Sequence, residues 1–356
     1  MYPAQQAKLR VLIVDDSSFM RMAIRGILSR APKVEIVGIA ADGVEGVEKA
    51  LALKPDLITM DVEMPRLDGI GALKQIMAKQ PTRVLMVSTL TCEGAKATFE
   101  ALDAGAIDYV PKNVTDSKDA QSVFQQALLA KVAEASLAPL PMRAGMAPRI
   151  VRPQQVVRPS HFTHRKISYV GIGASTGGPV ALQEVLSRVP VNFPHGIVVA
   201  IHMPKAFTGP YADRLNAKCS LSIKEAKDGD IVKGGQVLIA PGGVHTSLVK
   251  QGSNIVVKTF PTSEFPQYIY IPSVDQMLTS LCDASGGAML GVILTGMGND
   301  GFKGMQHLKG KGGVTLVQNE ATSTIYGMPR ACIEGKVADV VLPLDQIGFE
   351  IGKIGS

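Results

Sequence analysis

Short apolar runs alternate along the chain with longer stretches whose apolar residues recur at helical spacing, and the rhythm is played twice with a break between. Such alternation predicts strands and helices in turn, and hence parallel sheets wrapped by helices. In the first half the strand candidates are Arg10–Val14, Val34–Ala40, Leu57–Met60, Arg83–Val87 and Ile107–Val110. Between the first two, Met20, Ala23, Ile24, Ile27 and Leu28 form one helical face for the sheet, while Arg21, Arg25 and Arg30 point to solvent. A helix from about Ser117 to Ala135 ends this half. From about Lys166 strands are expected near Ile167–Ile172, Gly196–Ile201, Leu221–Glu225, Gln236–Ile239, Leu290–Thr295, Val314–Gln318 and Val337–Leu342. Thr246–Lys250 and Ile255–Thr259 flank Gly252-Ser253, which marks an antiparallel hairpin added to that sheet. The fold class is α/β: two doubly wound, mostly parallel-sheet domains, the second larger.

Length agrees, since 356 residues exceed one ordinary core. The domains are read as 8–133 and 166–353, with a linker over 134–165. That linker holds Pro139, Pro141, Pro148, Pro153 and Pro159, which disfavour helix interiors and central strands. From Leu137 to Arg165 it carries Arg143, Arg149, Arg152, Arg158 and Arg165 and no acid, which accounts for five of the six net positive charges. The excess charge therefore belongs to a solvated tether, read in preference to a basic docking arm. Without a helix-turn-helix pattern or interleaved aromatic and basic residues, no nucleic-acid partner is expected. Apolar stretches such as Ala288–Leu294 fall far short of the ~20 residues that span a bilayer, so the chain is not expected to be membrane-inserted. Asp15-Asp16 interrupts the first apolar run, which speaks against a secretory signal. The scattered Cys92, Cys219, Cys282 and Cys332 lack metal-ligand spacing and fit a reducing cytosol.

Polar groups then fall where ligands collect in such sheets, beyond the carboxyl ends of the strands. Asp15 and Asp16 end the first strand, Asp61 the third, Ser88 the fourth and Lys112 the fifth. Three converging carboxylates repel unless a cation joins them, and all-oxygen ligation suits Mg²⁺. Asp61 would then attack a phosphoryl donor, with Ser88 and Lys112 neutralising phosphoryl oxygens. The stretches Val11–Ser17, Met60–Gly69 and Gly105–Val110 resemble the receiver domain of response regulators, a five-stranded flavodoxin-like fold. The resemblance implies phosphorylation of Asp61 by a chemotaxis histidine kinase. It also implies Mg²⁺ held by Asp16, Asp61 and the Glu63 carbonyl with Asp15 nearby, and Ser88 and Tyr109 as switch positions. The family's usual Lys-Pro is here Lys112-Asn113, preceded by Pro111.

In the second half, Gly173-Ala174-Ser175-Thr176-Gly177 follows an apolar run and precedes Pro179, giving a strand, a sharp turn and a helix start. A serine there stands off the strand's carboxyl end beside the free N–H groups of a helix N-terminus, the setting of a nucleophile. It needs an imidazole base and an acid to orient it. His202 directly follows the next strand and ranks above His245, after Pro241-Gly242-Gly243; His161, His164, His195 and His307 read as linker, turn or surface residues. Asp300, in Gly296-Met297-Gly298-Asn299-Asp300-Gly301, lies just past a buried strand and is either the orienting acid or the cap of a helix beginning near Phe302. A dinucleotide site would require an acidic residue after the strand that follows the Gly-rich turn, where His202 stands instead. The order Ser175, His202, Asp300 also departs from that of α/β-hydrolases.

Gly171–Pro179, Ala200–Pro204 and Leu294–Gly301, with Ile239–Gly243, Gln318–Ala321 and Gly327–Arg330 in support, are similar to the catalytic domain of the CheB family of chemotaxis protein-glutamate methylesterases. The resemblance implies a Rossmann-like domain that hydrolyses glutamate γ-methyl esters on the cytoplasmic helices of methyl-accepting chemoreceptors, and that also deamidates glutamines. It implies the Met297 N–H as oxyanion donor, Thr176 flanking the nucleophile, and no cofactor for the ester chemistry. A cytoplasmic protein recruited to receptor arrays is expected, its unphosphorylated receiver covering the esterase cleft.

Overall fold

The structure is a computed structural model that describes residues 8–112, 118–140, 162 and 166–354. The chain divides into two compact units between Gln155 and Val156. The tether arginines Arg143, Arg149, Arg152, Arg158 and Arg165 lie outside the described residues, as do His161, His164 and the position after Lys112.

The first unit runs β1 (Leu9–Val14), α1 (Ser18–Leu28), β2 (Val34–Ala40), α2 (Gly43–Leu53), β3 (Leu57–Asp61), α3 (Gly69–Lys79), β4 (Arg83–Thr89), α4 (Cys92–Asp103), β5 (Asp108–Lys112) and α5 (Lys118–Leu137). Its five strands are parallel in the order β2-β1-β3-β4-β5. Strand order reverses between β1 and β3, so a crevice opens at their carboxyl ends. Polar residues start the helices: Ser17, Asp42, Asp68 and Thr91 each accept an N–H from the first turn of α1 to α4. Helix α5 passes the expected boundary at 133; Ala135 and Ala138 are buried, and the Ala138 carbonyl accepts from Arg83 Nε at 2.7 Å.

The second unit begins with β6 (Tyr169–Ala174), α6 (Gly178–Leu186), β7 (Gly196–Ile201), α7 (Lys205–Lys218), β8 (Ser222–Glu225) and β9 (Gln236–Ile239). A hairpin of β10 (His245–Gln251) and β11 (Asn254–Phe260) follows, then α8 (Val274–Ser285), β12 (Met289–Ile293) and α9 (Phe302–Gly310). It closes with β13 (Val314–Gln318), α10 (Met328–Glu334), β14 (Val340–Leu342) and α11 (Leu344–Gly352). Seven parallel strands are ordered β14-β13-β12-β6-β7-β9-β8, which puts β6 at the centre with β12 and β7 on either side. Ala174 pairs with Ile201 and Ile293 with Gly173, so the loops after these three strands leave one edge together.

Several strand bounds, such as those of β4, β5 and β12, move by one or two residues, and three elements of the second unit differ from expectation in ways that have a physical reason. The hairpin forms its own two-stranded sheet rather than joining the large one, touching the rest through an Ile231–Val256 bridge and α8. β14 starts at Val340 instead of Val337, because the Val337 N–H bonds the Cys332 carbonyl and its buried side chain closes α10. β6 starts at Tyr169, where it first pairs with Met289. Among the described residues no helix is long and apolar enough to cross a membrane.

Candidate active site

Ser175 sits one position past β6, its N–H bonded to the Thr295 carbonyl at 3.0 Å and its own carbonyl bonded by the Gly178 N–H at 2.6 Å. That tight turn into α6 passes through Gly177 at φ 77°, where a Cβ would also stand 2.5 Å from Thr324. β7, the neighbouring strand, delivers His202. Its Nδ1 lies 3.1 Å from Ser175 Oγ and its Nε2 lies 2.8 Å from Asp300 Oδ2. With a carboxylate on Nε2, the proton rests there and Nδ1 turns its lone pair to the hydroxyl.

Asp300 is 5% exposed and accepts from many donors. Besides His202 these are the Val274 N–H at 2.8 Å, the Asp275 N–H at 2.9 Å, and Ser273 Oγ and the Gly301 N–H at 3.1 Å. Val274 and Asp275 open α8, so the carboxylate caps α8; α9 starts from Gly301 without a side-chain cap. Burial alone would raise the Asp300 pKa, but the bonds from His202, Asp275 and Val274 outweigh it and hold the group below the usual carboxylate range. Its buried neighbour Asp275 goes the other way. Burial, opposed by the Gly304 N–H and reinforced by the Asp300 charge, pushes it up to about 6. Two adjacent acids are thus split so that the charge facing His202 stays on Asp300.

Thr295 knits the surrounding loops. Its N–H donates to Gln318 Oε1 at 2.8 Å, its hydroxyl donates to the Thr176 carbonyl at 2.9 Å, and that hydroxyl accepts the Ile325 N–H at 2.9 Å. Gly296 comes next, where a Cβ would stand 2.7 Å from the Ser175 Cβ and 2.4 Å from the Met328 sulfur. Only glycine lets this loop pass so near the hydroxyl. Met297 follows on the same loop, 36% exposed, with its N–H outside the backbone hydrogen bonds of the described residues. Thr176 is buried beside Ser175.

The other described histidines stand apart from this relay. His245 is fully buried at the start of β10, its ring nitrogens unbonded and its ring against Phe265 and Tyr268; burial lowers its pKa, which keeps it neutral. His195 packs edge-on against Phe193, and His307 Nε2 pairs with Asp283 at 2.7 Å.

In the first unit Lys112 Nζ lies 2.6 Å from Asp61 Oδ2 and 3.1 Å from Asp15 Oδ2. Burial and then the Asp15 charge push Asp61 up to about 6. Burial also raises Asp15, while for Lys112 the pull of Asp61 and Asp15 overcomes burial and raises its pKa. Asp15 Oδ2 is buried, with the Lys112 ammonium at 3.1 Å beside it. Oxygens of Asp15, Asp16 and Asp61 come within 4.8 Å of one another, and such an all-oxygen set fits a hard divalent cation. A cleft of about 210 Å³ lined by Asp16, Asp61, Val62, Glu63, Thr89 and Lys112 adjoins them. The Glu63 side chain is exposed, Tyr109 is buried, and Ser88 Oγ donates to the Gly94 carbonyl at 3.2 Å.

Comparison with known proteins gives both halves a family. Residues 170–351 match the model of the CheB methylesterase family, and residues 11–123 that of the response regulator receiver domain. A protein-glutamate methylesterase/protein-glutamine glutaminase of Geobacter sulfurreducens is 71% identical over 361 residues, covering 100% of each chain. One of the same description from Geobacter metallireducens is 70% identical, with 99% of each chain covered. The chain belongs to the CheB methylesterase family. The crystal structure of the Thermotoga maritima CheB methylesterase catalytic domain covers 53% of this chain and 98% of its own, at 38% identity and a TM-score of 0.51.

Membership in the CheB family leaves no place for the dinucleotide reading of Gly171–Gly177, and it agrees with the residue at the end of β7 being His202 rather than an acid. What the site adds beyond the sequence reading is the support of Asp300 by α8, the Thr295–Gln318 clasp and the Asp275 carboxyl. One signal for the first was present: Pro272-Ser273 before Val274 is a helix start, and Ser273 does cap α8.

Proposed function

We propose that this CheB protein hydrolyses glutamate γ-methyl esters on the cytoplasmic helices of chemoreceptors, releasing methanol, and deamidates receptor glutamines through the same intermediate. The observation that carries the reading is the relay Ser175 Oγ, His202 Nδ1, His202 Nε2, Asp300 Oδ2 at the shared edge of β6, β7 and β12. His202 Nδ1 takes the hydroxyl proton as Ser175 Oγ bonds the ester carbonyl carbon. Asp300 holds the imidazolium, and the Met297 N–H receives the oxyanion, with Thr176 flanking. As the intermediate collapses, the C–O bond to the methoxy group breaks and His202 returns its proton to give methanol. Water, deprotonated by His202, then cleaves the glutamyl ester of Ser175 and leaves glutamate. From glutamine the same sequence expels ammonia.

The first unit supplies control. Asp61 is the phosphoacceptor for a histidine kinase, and Ser88 and Lys112 turn to the phosphoryl oxygens, with Tyr109 reporting the change. Mg²⁺ would be held by Asp15, Asp16, Asp61 and the Glu63 carbonyl, and supplies neutralising charge when bound. The ester chemistry calls for no cofactor. The work is cytoplasmic, at receptor arrays, with the segment between α5 and β6 as tether.

The test presents methyl-labelled receptor membranes to the full chain and counts released methanol with and without a small phosphodonor. The donor should raise the rate about tenfold. Asp61→Asn should keep the basal rate and lose the rise; full activation of that variant contradicts the assignment of Asp61. Receptor binding without methanol release contradicts the enzymatic reading.

A further inference from the structure

Tyr270 lies in the irregular segment between β11 and α8, and its ring stacks on the His202 imidazole with centroids 4.4 Å apart and planes within 3° of parallel. Its hydroxyl reaches over the loop that carries Met297: a Cβ at Gly298 would stand 2.7 Å from the Tyr270 hydroxyl oxygen. A side chain 38% exposed thus covers one face of the imidazole and touches the neighbouring loop.

The edges of that imidazole are already taken, Nδ1 by Ser175 and Nε2 by Asp300. Two in-plane contacts leave the ring free to tilt about the line joining them. A flat partner against its face removes that freedom on one side. The charge argument adds to the steric one. A parallel stack gives little to a neutral imidazole, but the electron-rich face of a phenol attracts a cation. His202 is cationic only after it takes the Ser175 proton, so the stack strengthens on the way to the tetrahedral intermediate. We propose that Tyr270 is a positioning residue for His202, fixing the plane of the ring and favouring its protonated form. The proposal rests on the Ser175–His202–Asp300 reading.

The groups bearing on His202 are accounted for on each side: Ser175 after β6, Asp300 after β12, and Tyr270 before α8. Asp275 on α8 and His245 on β10 feel the charge of Asp300 rather than meeting the imidazole. Removing the phenol therefore takes away one cation-favouring contact and leaves the carboxylate in place. The rate should fall with it.

The experiment measures kcat/KM for methanol release from receptor membranes between about pH 5 and 9, the range in which an imidazole titrates. The full-length parent is compared with Tyr270→Phe, Tyr270→Leu and Ser175→Ala, each checked by thermal melting. Tyr270→Leu should lower the plateau about 5- to 20-fold and move the acidic limb down by about 0.5–1 pH unit. Tyr270→Phe keeps the stack and should stay within about twofold of the parent with the limb unmoved. The inference is overturned if Tyr270→Leu matches the parent, or if it lowers the plateau with the limb in place while Tyr270→Phe is equally impaired. Turnover by Ser175→Ala would instead defeat the triad on which the inference stands, a separate and distinguishable failure.

Discussion

Ser175→Ala should abolish methanol release, with a loss of at least about 10⁴-fold in kcat, and should leave melting unchanged within the usual spread for neutral substitutions. The two halves of that expectation rest on different atoms. The fold uses the backbone of Ser175, through the bonds from its N–H to Thr295 and to its carbonyl from Gly178, and alanine keeps both. The chemistry uses Oγ, whose hydrogen-bond partner is His202 Nδ1 at 3.1 Å, and alanine has no oxygen there. Methanol counted from labelled receptor membranes, alongside a melting curve, separates the two. A folded variant that turns over near the parent rate would show that another residue attacks the ester.

Asp300→Asn should be nearly as damaging to activity and should cost stability as well. Five donors converge on the parent carboxylate: His202 Nε2, Ser273 Oγ and the N–H groups of Val274, Asp275 and Gly301. An amide has one acceptor oxygen, and its NH₂ must face at least one of those donors in either orientation. If it faces His202, the ring proton moves to Nδ1 and opposes the Ser175 hydroxyl. A base with the wrong tautomer costs about 10⁴-fold in kcat. If it takes the place of Oδ1 instead, the buried Asp275 and Gly301 N–H groups lose their acceptor at about 1–3 kcal/mol. The pH dependence has a definite sign. The folded-state pKa of Asp300 is held below the reference value of 3.8, so its contribution is fully present above that value and is lost as pH falls through the folded pKa. Melting of parent and variant should therefore differ at neutral pH and converge in acid, and an unchanged kcat at neutral pH would contradict the assignment of Asp300.

How much of this was legible depended on how local the cause is. Gly196–Ile201, Gln236–Ile239 and Val314–Gln318 have the bounds their sequence predicts, because a strand buried on both faces needs a nearly unbroken apolar run; Val34–Ala40 does too, although it is a half-buried edge strand. The choice of His202 over His245 was available from chain order, since strands consecutive in sequence tend to be neighbours and β6 does pair with β7. The role of Asp300 was visible only as an alternative between acid and cap. The structure shows a cap as well, but of α8, a helix distant in sequence whose approach depends on Leu278 and Leu281 packing into the core. Tyr270 carried no signal at all: it sits in a segment without periodicity, and only the tertiary fold lays it on the imidazole. In the first unit, acids at strand ends are local features of β1 and β3, whereas the pairing of both Asp15 and Asp61 with Lys112 needs β5 to be packed beside them.

The claim that ester and amide share one glutamyl-Ser175 intermediate is tested most directly by partitioning. Receptor membranes bearing either the methyl ester or glutamine at the same site are turned over by the full chain in hydroxylamine, which competes with water for the acyl group. The account predicts glutamyl hydroxamate and glutamate in the same ratio from both substrates, with no enzymatic hydroxamate from Ser175→Ala. Ratios that differ between ester and amide, or hydroxamate formed by that variant, would contradict it.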